Sequence, residues 1–505
     1  MEHEHIDVLI VGAGLSGIGA AHHIQERCPS KSMMLLEARG TMGGTWDLFR
    51  YPGIRSDSDM YTFGYRFKPW LGNKALADGP SILRYIQETA QESGIDKRIR
   101  YHHRVVRAEW STADARWTVH AEREGEPVVF TADFLYNCSG YYRYDKGYTP
   151  DFPGMDSFEG TIVHPQLWPE DLDYRDKRVV VIGSGATAVT LIPSMASDTA
   201  HITMLQRSPT YIATVPPEDA IAMKLRELLP EKAAYMVTRW KNILHAIFVY
   251  QMSQRQPERV KAFLRDELIK QLPDDYPVDV HFKPRYNPWD QRLCAVPGGD
   301  LFQAISAGDA SVVTDTINRF TPKGILLDSG DELEADIIVT ATGFTLQMMG
   351  GADFFVDGEP VEFAKCMTYK GMMLSEVPNF AFTIGYTNSS WTLKADLVSE
   401  YVCRLLQHMD EGGHAYCVPR DESADVERTP LLDFGAGYVK RSLHALPHQG
   451  TKFPWRLRMN YLADVVALRL GRLEDGAMKF ERRAKTQSPS TRPSAAPARV
   501  PLPGR

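Results

Sequence analysis

Cysteine is scarce in this chain: six in 505 residues (Cys28, Cys138, Cys294, Cys366, Cys403, Cys417), scattered and without a CxxC pair. Such spacing argues against a disulfide framework or a zinc site and fits a reducing compartment. Basic charge is not in excess either. With 57 Lys and Arg against 64 Asp and Glu, the net charge is −7, and no basic stripe is available to neutralise phosphates. No nucleic-acid partner is expected. Long hydrophobic runs are also missing, since no uninterrupted apolar stretch reaches the roughly 20 residues that span a bilayer. The start, MEHEHIDVLIVGAG, enters an apolar strand with no basic leader before it, which predicts a cytoplasmic protein.

What is present is the balance of a globular chain, 43% hydrophobic and 24% charged, long enough for two or three domains with cores. Two segments break the pattern. From Lys485 onward the chain is rich in Pro, Ser and Arg and poor in large apolar residues, so a disordered tail is expected over 485–505. Residues 217–272 read as helices, with apolar side chains at three and four spacing through AAYMVTRWKNILHAIFVYQM. Their apolar face is expected to meet the core, and a role at a membrane surface is the less favoured reading.

The first chemical signal is IDVLIVGAGLSGIGAAHHI. An apolar strand runs into Gly12, Gly14 and Gly17 and then into a helix. The first glycine permits the tight turn, the second lets a pyrophosphate approach the backbone, and the third lets helix pack on strand. The next strand, SMMLLEA, ends in Glu37, about 20 residues past the third glycine, where a carboxylate can accept from ribose hydroxyls. That carboxylate would repel a 2′-phosphate. The site therefore suits FAD or NAD.

A second turn of the same type lies in KRVVVIGSGATAVTLIP, at Gly183, Gly185 and Ala188. Here the following strand ends in Arg207 and Ser208 instead of an acid. A guanidinium and a hydroxyl can hold a 2′-phosphate, so this site should take NADPH. The pairing suggests hydride transfer from NADPH to bound FAD. ADFLYNCSGYY and ADIIVTATGF each place a buried strand before a small-small-Gly turn, one return for each glycine motif. TPKGILLDSGDELEADIIV reads as a hairpin with Gly330 at its turn.

The expected fold is therefore α/β, with two dinucleotide-binding Rossmann-like domains and a helical insertion. The FAD domain is expected over 1–145 and 381–484, the NADPH domain over 146–216 and 292–380, and the insertion over 217–291.

Between the two glycine motifs lies FEGTIVHPQLWP, a connector whose spacing fits neither helix nor strand. Its Phe158, Gly160, His164, Trp168 and Pro169 match FxGxxxHxxxW(P/D), which resembles the fingerprint of type I (class B) flavin-dependent Baeyer–Villiger monooxygenases. The resemblance runs from about residue 5 to 480. It includes GGTWDLFRYPGIRSDSD, with Trp46, and PRYNPWDQRL, which look like the branch containing the ethionamide-activating monooxygenase. Physically, the aromatic pair can anchor against two domains while His164 exchanges hydrogen-bond partners as the NADPH domain moves.

That resemblance implies FAD and NADPH as cofactors, with O2 and a small-molecule ketone, linear or aryl, as substrates. A flavin C4a-peroxide would insert one oxygen atom beside the carbonyl and give an ester or lactone. The family match assigns Arg292 as the active-site cation and Asp57 as the acid that positions it, with Asp59 a nearby competitor. Gln291 departs from the many relatives that carry Lys there, which leaves Arg207 as the main 2′-phosphate determinant. SSWTLKADL, by the same analogy, starts a helix whose dipole faces the flavin. Oxidation of sulfur or nitrogen, as in sulfides and thioamides, is the alternative chemistry. A dinucleotide-sensing protein is the alternative outside enzymes, and a disulfide reductase lacks its CxxxxC.

Overall fold

The computed structural model describes residues 4–483 except 292, 423–424, 433–434 and 436. The expected tail at 485–505 and the arginine assigned from the family, Arg292, lie outside the described residues.

The strand Glu4–Val11 is the axis of the first domain. Its Val8, Leu9 and Ile10 are fully buried, as β-branched and apolar residues are when a parallel strand is covered on both faces. It pairs in parallel with Met33–Leu36 on one side and Glu126–Asn137 on the other. The helix Leu15–Arg27 follows the glycine turn and packs against the long helix Trp391–Gly412. An antiparallel meander, His103–Ser111 to Arg116–Arg123 to Glu126–Asn137, widens the sheet to nine strands.

The second domain is a five-stranded sheet, entirely parallel. Its order is Ala310–Thr314, His201–Gln206, Arg178–Ile182, Ile337–Thr340, Thr161–Val163. The expected hairpin is present, with Gly324–Leu327 antiparallel to Glu332–Glu334 and Gly330 at φ +94° in the turn. Two sequence expectations need correction. The connector does carry a strand, since Thr161–Val163 forms the edge of this sheet beside Ile337–Thr340. The return to the first sheet also comes before residue 381, because Asp353–Val356 pairs in parallel with His103–Ser111. Edge pairing of so short a segment depends on its tertiary neighbour and leaves little trace in local periodicity.

The helices Ala220–Leu228, Glu231–Arg255, Pro257–Ile269 and Val278–His281 lie between two strands, Ile212–Val215 and Cys294–Pro297, that pair in parallel. Arg239 anchors this unit to the first domain. Only 2% exposed, it donates to the carbonyls of Tyr61 (2.7 Å) and Gly64 (2.7 Å) at the end of the short helix Met60–Phe63, and it faces Asp396 at 3.5 Å. Leu268, Leu272, Val278 and Phe282 instead join the core under the second sheet. The expectation of a core-facing apolar side is met only in part. Ala234, Tyr235 and Ile243 are buried, but Val237, Trp240, Leu244 and Phe248 of the same helix face outward.

Candidate cofactor clefts and the domain junction

The first glycine turn opens a cleft of about 510 Å³. Gly12 sits at φ +99°, and a Cβ there would stand 2.8 Å from the Cys138 carbonyl oxygen; one on Gly17 would overlap the Gly12 carbonyl. Gly14 begins the helix with no side-chain cap, which leaves its first-turn amides facing the cleft wall. Gly43 donates to the Ala13 carbonyl (3.0 Å), bringing the GGTW segment and Trp46 onto the same wall, where Trp46 meets Phe63 edge-on at 5.5 Å. Glu37 also lines the cleft. Its carboxylate accepts from the amides of Ala13 (2.8 Å) and Arg39 (3.0 Å), and burial pushes its pKa up.

The far wall is the start of the helix Trp391–Gly412, where sequence placed a helix. Trp391 donates from Nε1 to the Ser16 hydroxyl (2.8 Å) and stacks on Tyr141. In this first turn, Ser390 Oγ and Thr392 Oγ1 are buried with no partner among the described residues. An uncapped helix start and a glycine cradle suit a dinucleotide that brings its own polar groups.

The second turn repeats the first. Gly183 has φ +130°, and a Cβ there would overlap the Ala341 carbonyl. Gly185, by contrast, has open space around it, and Ala188 is buried beneath. Arg207 and Ser208 are exposed at the end of His201–Gln206, and the Ser184 hydroxyl donates to the Ser208 carbonyl (3.3 Å). An accessible guanidinium and hydroxyl beside a glycine turn make a donor set that fits a 2′-phosphate. In both domains the first glycine thus seats on the carbonyl that follows the return strand. The small-small-Gly turns signalled this close approach in the sequence, but not what approached.

The junction between the domains is built by residues 49–59. Phe49 and Tyr51 enter the core of the second sheet, where Tyr51 joins the same cluster as Ala188 and Leu191 of the helix after the second glycine turn. Gly53 (φ +74°) lies so close to this helix that a Cβ would overlap the Ser194 hydroxyl and stand 2.9 Å from the Thr190 carbonyl. Arg55 pairs with Asp300 at the start of a second-domain helix. The same loop then returns to the first cleft, which Asp57 lines. Asp59 does not share that position. Its carboxylate accepts from the amides of Tyr61 (3.1 Å) and Thr62 (3.0 Å) and from Asn242 Nδ2 (2.8 Å), as a helix cap.

Two chain crossings run side by side next to this loop. Arg143 N–H donates to the Thr345 carbonyl (2.9 Å), Tyr148 N–H to that of Gly343 (3.1 Å), and the Thr342 hydroxyl to that of Tyr148 (2.6 Å). His164 locks the connector onto the same place. Its Nδ1 accepts from Gln166 N–H (3.1 Å), so Nε2 carries the proton and donates to the Gly343 carbonyl (3.1 Å). Burial holds the His164 pKa below its ordinary value. Phe158 packs edge-on to Phe320 in the second domain, and Gly160 lies against Phe158 and Asp336. Trp168 joins the core cluster that contains Phe49 and Tyr51. The aromatic pair therefore grips the second domain at both ends, and only the cluster of Trp168 includes residues from the first. Sequence reading missed Gly53, Tyr51 and the Arg55–Asp300 pair; the Pro-Gly in RYPGIRSDSD was their only signal.

Two sheets that each end in a glycine turn over a helix, with a loop of one docked on the nucleotide helix of the other, define a two-dinucleotide oxidoreductase architecture. Comparison with known proteins narrows this. The sequence profile of the flavin-binding monooxygenase-like family matches residues 74–384, and that of an NAD(P)-binding Rossmann-like domain matches 10–71. The FAD-containing monooxygenase EthA of Mycobacterium tuberculosis H37Rv is 57% identical over 481 residues, covering 95% of this chain and 98% of its own. The probable FAD-binding monooxygenase AlmA of Acinetobacter baylyi is 48% identical over 494 residues, covering 97% and 99%. A steroid monooxygenase solved with NADP shares the fold, with a TM-score of 0.75 at 22% identity over 95% of this chain and 100% of that one. The chain belongs to the flavin-binding monooxygenase-like family.

Proposed function

We propose that this protein is an NADPH- and FAD-dependent monooxygenase that inserts one oxygen atom from O2 beside the carbonyl of a small-molecule ketone, giving an ester or lactone. The carrying observation is the junction loop: it leaves the wall of the first cleft, docks Tyr51 and Gly53 on the second nucleotide helix, and returns with Asp57 on the first cleft. Two dinucleotide sites joined by one loop suit a reaction in which one cofactor reduces the other.

In this reading Gly12, Gly14, Gly17 and the first turn of Leu15–Arg27 hold the FAD pyrophosphate, while Glu37 accepts from its ribose and Trp46 lines its cleft. Gly183, Gly185 and Ala188 seat the NADPH pyrophosphate, and Arg207 with Ser208 binds its 2′-phosphate. Bound flavin, once reduced, supplies the activation of O2 and the transfer of one oxygen atom. Asp57 orients Arg292, whose fixed positive charge stabilises the negative charge that develops at the carbonyl. Phe158, Gly160, His164 and Trp168 hold the connector while the domains adjust. FAD in the names of EthA and AlmA, and NADP in that of the steroid monooxygenase, support the cofactor pair.

Oxygen transfer to sulfur or nitrogen, in a sulfide or thioamide, is the second reading, favoured by the identity with EthA and the resemblance to the ethionamide-activating branch. Incubating the yellow protein with NADPH, O2 and matched panels of ketones and sulfides, with products read by mass, decides between them. Ester formation supports the first reading and sulfoxide alone the second. Binding of both dinucleotides without oxygenated product from either panel leaves a sensor.

A further inference from the structure

The helix Glu231–Arg255 is apolar on both of its sides. One buries Ala234, Tyr235 and Ile243; the other exposes Val237, Trp240, Leu244 and Phe248, the last to 62%. An amphipathic surface helix would present polar residues there, so this outer face is built to be covered. It continues beyond the helix. Trp240 meets Tyr461 with ring centroids 6.0 Å apart, and the segment that follows exposes Leu462, Val466 and Leu470, at four-residue spacing and up to 76% exposed.

The two segments that carry this face are basic in a chain of net charge −7. Across 231–255 and 450–472 there are nine Lys and Arg but two acids, Glu231 and the buried Asp464. Arg239, Lys241, Arg469 and Lys452 are committed to Asp396, Asp219, Glu400 and Asp425. Lys232 and Arg255 stand exposed at the two ends of the long helix, and Arg472 is exposed two residues after Leu470.

We propose that this face docks the protein on the headgroup region of an anionic lipid bilayer, with Trp240, Leu244, Phe248, Val466 and Leu470 entering the interface. A self-complementary dimer would set this one-sign charge against its own image, whereas anionic headgroups attract it. Among the described residues no helix is long and apolar enough to cross a membrane, so the contact lies in the interface plane.

The test is co-sedimentation of the FAD-loaded full chain with vesicles of phosphatidylcholine, with and without phosphatidylglycerol. Binding is expected only with phosphatidylglycerol, weakening as salt is added, with a blue shift of tryptophan emission. The double substitution Leu244→Ser, Phe248→Ser should lower the partition coefficient about tenfold or more while the protein keeps its flavin and its turnover in solution. Should that variant fold poorly, Lys232→Gln with Arg255→Gln, on the same helix, reads the same surface through its salt dependence. No binding to anionic vesicles, or unchanged binding by the folded variants, overturns the proposal. So does light scattering that reveals a stable dimer disrupted by these substitutions, because the face would then be covered by a second copy.

Discussion

Gly53 and Ser194 stand so close that a Cβ on the glycine would overlap the serine hydroxyl, joining a loop of the first cleft to the helix of the second glycine turn. At φ +74° the position also favours glycine by backbone conformation. A side chain here forces the loop, Ser194 or the helix backbone at Thr190 to shift.

Gly53→Ala should therefore leave FAD bound but slow its reduction by NADPH. A misplacement of about 1 Å between reacting groups costs on the order of 10²-fold in rate. Stopped-flow absorbance of the flavin measures this step directly; reduction at the normal rate would mean that the junction does not set the distance between cofactors.

Asp57 and Asp59 should separate by phenotype. Asp59→Ala removes a helix cap and should cost about 1 kcal/mol of stability, read as a lowered denaturation midpoint. Asp57→Ala, in the cleft wall, should spare the midpoint and reduce oxygenation. Arg292→Ala should behave like Asp57→Ala and more severely: flavin reduction persists, product falls by about 10²- to 10³-fold, and hydrogen peroxide release rises. Normal product yield from the Arg292 variant would remove that residue from the chemistry.

Arg207→Ala should lower the preference for NADPH over NADH by about tenfold or more, because a charged hydrogen-bond partner of the 2′-phosphate is lost. Steady-state kcat/KM with each nucleotide gives the ratio. If the unsubstituted protein used both equally, the second site would have been misread.

Acid should loosen the connector. The folded pKa of His164 is held below 6.5 by burial, so its neutral form is favoured in the native state. Its contribution to stability is full above pH 6.5 and is lost as pH falls from there toward the lower folded value, since only the unfolded chain takes up the proton readily. Protonation would also place a hydrogen on Nδ1, opposite the Gln166 N–H. Urea denaturation across this range should show a steeper loss in the parent than in His164→Gln. Parallel slopes would place the acid sensitivity elsewhere.

The two glycine turns, their strands and the acid or arginine that ends the next strand were legible because each acts locally. A glycine at positive φ, an apolar strand and a capless helix start are properties of adjacent residues, and they specified two dinucleotide domains before any contact was known. The connector was legible only through resemblance; the chemistry of Phe158 or Trp168 alone does not say which core each enters. Tertiary structure decided everything that depends on residues far apart in the chain: that Gly12 seats on Cys138 and Gly183 on Ala341, that Gly53 meets Ser194, and that Asp59 is spent on a cap while Asp57 lines the cleft. It also decided which side of Glu231–Arg255 is covered. Periodicity locates apolar residues on a helix, but when they occupy both sides, as Tyr235 and Phe248 do here, only the packing of the neighbouring helices selects the face that is left outside.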